Sequence, residues 1–137
     1  MSYKQRTLDF VEIEWATYVE RFQRLPELDG AQRVRNQGYD RFRDMLAHVL
    51  AWWEDVMPVI LAIAENREFE KKKYDFDAFN AAAVAKYKDW DEAEFLAHFE
   101  KTRQKAATDL RSMNEAAFED RRIQGRINGI FIHHARE

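Results

Sequence analysis

The stretch Asp40–Glu65, DRFRDMLAHVLAWWEDVMPVILAIAE, decides how this chain folds. Phe42, Met45, Val49, Trp52, Trp53, Val56, Ile60 and Ile63 recur at steps of three and four, which gathers them on one face of a long core helix. Pro58 lacks the amide that would bond back to the carbonyl of Glu54, so a bend is expected there. The apolar stripe stays in phase across the proline, which favours one bent helix over two separate ones.

Three further helical segments surround it. Leu8, Val11, Trp15, Tyr18 and Phe22 share a stripe that Thr7 can cap and that stops before Leu25-Pro26, giving a first helix at residues 7–24. Glu27 to Gly38, with its proline-flanked start, two glycines and an asparagine, reads as a connection. Asp91 and Glu94 stand at capping-box spacing ahead of Phe95, Leu96, Phe99, Ala106, Leu110 and Met113, which marks helix 3. Residues 126–137 place Ile127, Ile130, Phe131 and His134 on one face of a short last helix, weakened by Gly125 and Gly129.

Between Asn66 and Trp90 the period fades through a charged run, Arg67 to Lys73, into Tyr74-Asp75-Phe76-Asp77 and a helix-prone piece from Ala78 to Tyr87. A helix of about 26 residues is about 39 Å long, and a linker of roughly 24 residues can run back along it, so helices 2 and 3 are expected to be parallel. Tyr74, Phe76, Phe79 and Val84 argue that this crossover packs rather than floats. The expected fold is all-α, a four-helix bundle with a long crossover between helices 2 and 3, filling residues 1–137 as a single domain.

Composition bounds the rest. The chain has 137 residues, 46% of them hydrophobic, with ten Phe, five Tyr and four Trp, enough apolar area to offset the ordering of one domain. Four Gly and two Pro leave few tight turns. A net charge of −3 with both signs interspersed creates no field that would draw nucleic acid or an anionic membrane. The run Arg121-Arg122-Ile123-Gln124-Gly125-Arg126 could bind phosphate, but three arginines in an acidic chain read first as a solvated surface. No signal-peptide core is seen, and no apolar run approaches the roughly 20 residues that span a bilayer, so the expected location is cytoplasmic. The absence of Cys removes disulfides, thiolate nucleophiles and cysteine metal sites, so any metal must use His and carboxylates.

The four histidines separate by helical phase. His48 follows Met45 by three and precedes Trp52 by four, beside the buried stripe, and His134 follows Phe131 by three and Ile130 by four, along the core seam of the last helix. His98 and His133 stand off their stripes, nearer solvent. His48 and His134 are expected to meet at one end of the bundle, where inward imidazoles must be hydrogen-bonded, hold a metal or do acid-base work. Satisfied core histidines are the plain alternative. Trp52 and Trp53 cannot both face the core, so one should edge a groove.

Met45-Leu46-Ala47-His48-Val49-Leu50-Ala51-Trp52, then Phe76-Asp77-Ala78-Phe79-Asn80, then Ile130-Phe131-Ile132-His133-His134-Ala135-Arg136-Glu137, in that order and spacing, resemble the DinB/YfiT-like superfamily. Within it the chain is most similar to the ClbS/DfsB family of four-helix-bundle proteins. The resemblance implies the same crossover bundle. It also implies a divalent metal, Zn, Ni or Mn, held by one His of helix 2 and a His-x-x-x-His pair of the last helix. His48 matches the first ligand and His134 the first of the pair, but the second would fall at position 138, past Glu137. A His48, His133, Glu137 set is the lesser alternative. Weak or absent metal is therefore expected, and a last helix that lacks its end would explain both the missing ligand and the short segment.

The resemblance further implies either metal-dependent transfer of a small thiol to an electrophile, or hydrolytic disarming of a reactive small molecule as in the branch that protects against colibactin. His48 and His134 would bind metal or position water, and Trp52 would wall the pocket. The expected partner is a small-molecule substrate or ligand, with a second copy of the chain as the further candidate. The competing expectation is a non-catalytic bundle that binds a small ligand or a partner, its histidines structural.

Overall fold

The long stripe forms helix α4, Phe42–Ala64, unbroken through Pro58, which sits on its exposed side. The structure, a computed structural model, describes residues 2–36 and 38–132. Among them every regular element is helical: α1 Tyr3–Asp9, a π-helical turn Phe10–Glu14, α2 Trp15–Gln23, α3 Glu27–Asn36, α4, α5 Phe76–Lys86, α6 Glu92–Ser112, a 3₁₀ turn Glu115–Glu119, α7 Arg121–Ile127 and a second π-helical turn Asn128–Ile132.

Helix α4 is the axis of the packing, with α3, α5, α6 and α7 all against it. At its start Arg43 donates to the carbonyls of Trp90 and, at 2.8 Å, Lys88, just ahead of α6. Midway Trp53 packs on Phe99, ring centres 5.2 Å apart. Near its end Leu61 shares a cleft with Lys105 and Asp109. Start meets start and end meets end, so α4 and α6 run parallel, and the chain between them returns along α4 carrying α5.

Several expectations shift by a physical cause. The first helical run begins at Tyr3, capped by the Ser2 side chain accepting from the Gln5 amide at 3.1 Å, while Thr7 donates back to the Tyr3 carbonyl at 2.8 Å. Residues 27–36 form α3 rather than a connection. Pro26 stands just ahead of the first turn, Gly30 packs against the Phe22 ring, and Gly38, at φ 86°, closes the helix. The amides of Gly38 and Tyr39 bond the carbonyls of Arg35 and Val34 at 2.9 and 3.1 Å. Asn66 at φ 56° ends α4 in the same way, its amide on Ile63 and that of Arg67 on Ala62. The last segment starts at Arg121, earlier than expected, because Asp120 caps it through the Arg122 amide.

Val49, Val56, Ile60, Phe99, Leu110, Ile127 and Ile130 belong to one contiguous core; Met45 is buried but stands outside that cluster. Helix α4 is long and apolar enough, by length and composition, to cross a membrane, although Glu54 and Asp55 interrupt its apolar run, and 67% of its most apolar stretch is buried within the fold.

Candidate functional site

One cavity of about 840 Å³ opens beside α4, within the size range of small-ligand pockets. His48, Trp52, Val56 and Val59 form its α4 wall. The chain from Glu70 to Phe76 passes over it, Asn80 of α5 closes one side, and Gly125, Arg126, Gly129 and Ile130 supply the opposite wall. Gly125 and Gly129, four apart on one helical face, would meet nothing within 4 Å if they carried a Cβ. Their missing side chains are part of the empty volume.

His48 is 5% exposed. Its Nδ1 lies 2.5 Å from the Met45 carbonyl, which can only accept, so Nδ1 carries the proton and Nε2 is the basic nitrogen of the neutral ring. Tyr39 stacks on the imidazole, centroids 4.9 Å apart and planes 18° from parallel. Trp52 donates from Nε1 to Asn80 Oδ1 at 2.9 Å and packs against Tyr74 and Phe79 at 4.9 and 4.0 Å. That fixes the indole on the cavity wall, yet Trp52, 7% exposed, belongs to the same buried core as Trp53, 1% exposed, against the expectation that only one of them could face it. Of the apolar crossover residues, Tyr74, Phe79 and Val84 are partly buried, but Phe76 stays 64% exposed at the cavity edge, against the expectation of burial.

The passing segment is tethered. The Tyr74 hydroxyl donates to Asp55 Oδ2, and Lys72 reaches Asp55 Oδ1 at 3.1 Å. Burial first, then the bond to Asp55, pushes the Tyr74 phenol up to about 12. Because the folded value is raised, the tether is intact below the ordinary tyrosine range near 10 and weakens as pH rises from there toward 12. In an ultraviolet phenolate titration Tyr74 should be among the last tyrosines to ionise, the late component vanishing in Tyr74→Phe and moving down in Asp55→Asn. A late component that survives Tyr74→Phe would refute the assignment.

His133, His134 and Glu137 lie outside the described residues, so the meeting of His48 with His134 and the alternative His133–Glu137 pair lie outside them too. Among the described residues no three His, Asp or Glu side chains gather into a group that could hold a metal ion. Among the described residues His48 fits a ligand's role, since a ligating imidazole commonly donates its other N–H to a backbone carbonyl. His98 is half-buried on the other side of α4, its Nε2 3.3 Å from the Tyr87 hydroxyl and 3.4 Å from Glu54 Oε1. Arg122 is surface-paired with Asp120, as expected of a solvated arginine, but Arg126 turns to the cavity.

Sequence phase found His48 and Trp52. It missed Tyr39, Tyr74, Asn80 and Arg126, which reach the cavity from four separate elements. The aromatic content of the crossover and the arginine run ending at Arg126 were the available signals. No model of a protein family, no curated protein and no solved structure matches the chain.

Proposed function

We propose that the chain is a four-helix bundle with a long crossover, of the DinB/YfiT-like kind and nearest the ClbS/DfsB family, that hydrolyses a reactive small molecule. The observation that supports this is the cavity with His48 and Trp52 on one wall. A compact electrophile would lie against the Trp52 indole. His48 Nε2 would take a proton from the attacking water, and the same proton would pass to the leaving group as its bond to the electrophilic carbon breaks. The Met45 carbonyl would hold the imidazole in the required tautomer and stabilise its charged form.

A divalent ion would supply thiol-transfer chemistry instead, with His48 Nε2 as one ligand and His134 as the proposed second. The hydrolytic reading routes no step through it.

Turnover of p-nitrophenyl acetate and of styrene oxide by untagged protein tests the reading, alone and with Zn, Ni or Mn plus cysteine as thiol. Hydrolysis without metal is expected, about a hundredfold slower in His48→Ala. It should also slow in Gly129→Leu, which fills the cavity from a position with open space around it and should leave the melting temperature unchanged. Equal rates in wild type and His48→Ala would refute the reading. Turnover that requires metal and thiol would make the protein a transferase, and no turnover in any arm would leave a ligand-binding bundle.

A further inference from the structure

The cavity carries a charge pattern that the hydrolytic reading does not use. Lys71, Lys72 and Arg126 stand on its wall against one carboxylate, Glu70. Lys72 is occupied by Asp55. Lys71 and Arg126 have no carboxylate partner among the described residues. Arg126 is nevertheless held in place: one guanidinium nitrogen donates to the Arg122 carbonyl at 3.1 Å, and the group lies 5.5 Å over the Phe69 ring. A cation fixed by its own backbone and an aromatic face keeps its remaining donors for something else.

Asn80 adds a neutral donor. Its Oδ1 accepts from Trp52, so the orientation of the amide is set and its NH₂ is left to donate. The opposite requirement, an apolar planar surface, is met by Trp52, Tyr74 and the exposed Phe76, the last with its ring centre 5.6 Å from that of Trp52. An exposed phenylalanine beside an indole, next to two cations without carboxylate partners, suits a ligand with both features.

We infer that the cavity takes a planar aromatic molecule bearing an anionic group, its ring against Trp52 and Phe76 and its anion between Arg126 and Lys71. This rests on the reading of the cavity as a ligand site and narrows its substrate class. Carboxylate, sulfonate and phosphate share the needed chemistry, two or more acceptor oxygens for a guanidinium fork and an ammonium.

Two dyes with the same ring system separate the parts of the claim: 8-anilinonaphthalene-1-sulfonate and its neutral analogue N-phenyl-1-naphthylamine. Fluorescence titration at low salt should give the sulfonate an affinity higher by about tenfold or more, one charge-assisted contact's worth. Added salt should erode that margin. The Lys71→Gln/Arg126→Gln double variant should bring the two dyes to parity without changing the neutral one, with near-ultraviolet circular dichroism confirming a native fold. Gly129→Leu should weaken both. Equal affinities in the wild type, unchanged by the double variant, would overturn the anionic part and leave the ligand site standing. Binding of neither dye, or binding indifferent to Gly129→Leu, would overturn this inference together with the reading beneath it.

Discussion

Trp53→Ala is expected to destabilise the protein by about 4 kcal/mol, the cost of deleting a fully enclosed aromatic side chain that its surroundings cannot refill. Trp53 is 1% exposed, meets Trp15 edge-on at 5.1 Å, and packs on Phe99 and Phe131 at 5.2 and 5.3 Å. Its Nε1 donates to the Ile130 carbonyl at 2.7 Å, as Trp15 Nε1 does to the Phe131 carbonyl at 3.0 Å. One indole thus ties α4 to the first helical run, to α6 and to the final turn. A loss of that size lowers the melting temperature by on the order of 10 °C in a domain of this length. Trp52→Ala supplies the comparison: Trp52 borders the cavity on one side, so fewer contacts vanish and the cost should be clearly smaller. Denaturant melts of the two variants decide it, and a Trp52→Ala loss equal to or above that of Trp53→Ala would mean that the division between core and cavity wall is misassigned.

The same neighbouring pair shows what the sequence could disclose. Helical phase alone separates Trp52 from Trp53 by about 100°, which suggested that one would leave the core; the fold instead buries both, Trp52 at the cavity side with His48 within reach on the same face. Helix α4 was legible because eight apolar positions repeat a single period. Helix α3 was not, because glycine and proline are read as breakers, whereas here Pro26 precedes the first turn and Gly38 follows the last one. The cavity was illegible for a different reason. Its walls come from α4, the crossover, α5 and the final helical run, each contributing two to four residues whose meeting has no local signature in the sequence. Arg126 looks like any solvated arginine until the fold sets Phe69 under it.

The π-helical turns left no signal either, since a bond from residue i to i+5 needs no particular residue type, only a reason to open the helix. Arg103 supplies such a reason at Phe10–Glu14. In the sequence it is one more charge on α6; in the fold it is 7% exposed, and its Nη1 donates to the carbonyls of Val11 and Glu12 at 3.0 and 2.9 Å. Those carbonyls belong to the widened turn, where Trp15 bonds back to Phe10. The rest of the guanidinium engages Glu100, whose carboxyl the bond from Arg103 holds below its ordinary range. Arg103→Ala should cost about 3 kcal/mol, because two peptide carbonyls lose their donor at once and neither can turn to water without undoing the turn. Arg103→Lys should recover part of that, since an ammonium cannot reach both carbonyls and fork onto a carboxylate. The acid side carries a further mark. A lowered Glu100 stabilises the fold above the normal glutamate range and loses that effect as pH falls toward its folded value, so wild type should lose stability on acidification more than Arg103→Ala does. Amide exchange along residues 10–15 should quicken in Arg103→Ala. A loss under about 1 kcal/mol with exchange there unchanged would show that the π turn is held by the packing of Val11 and Trp15 alone.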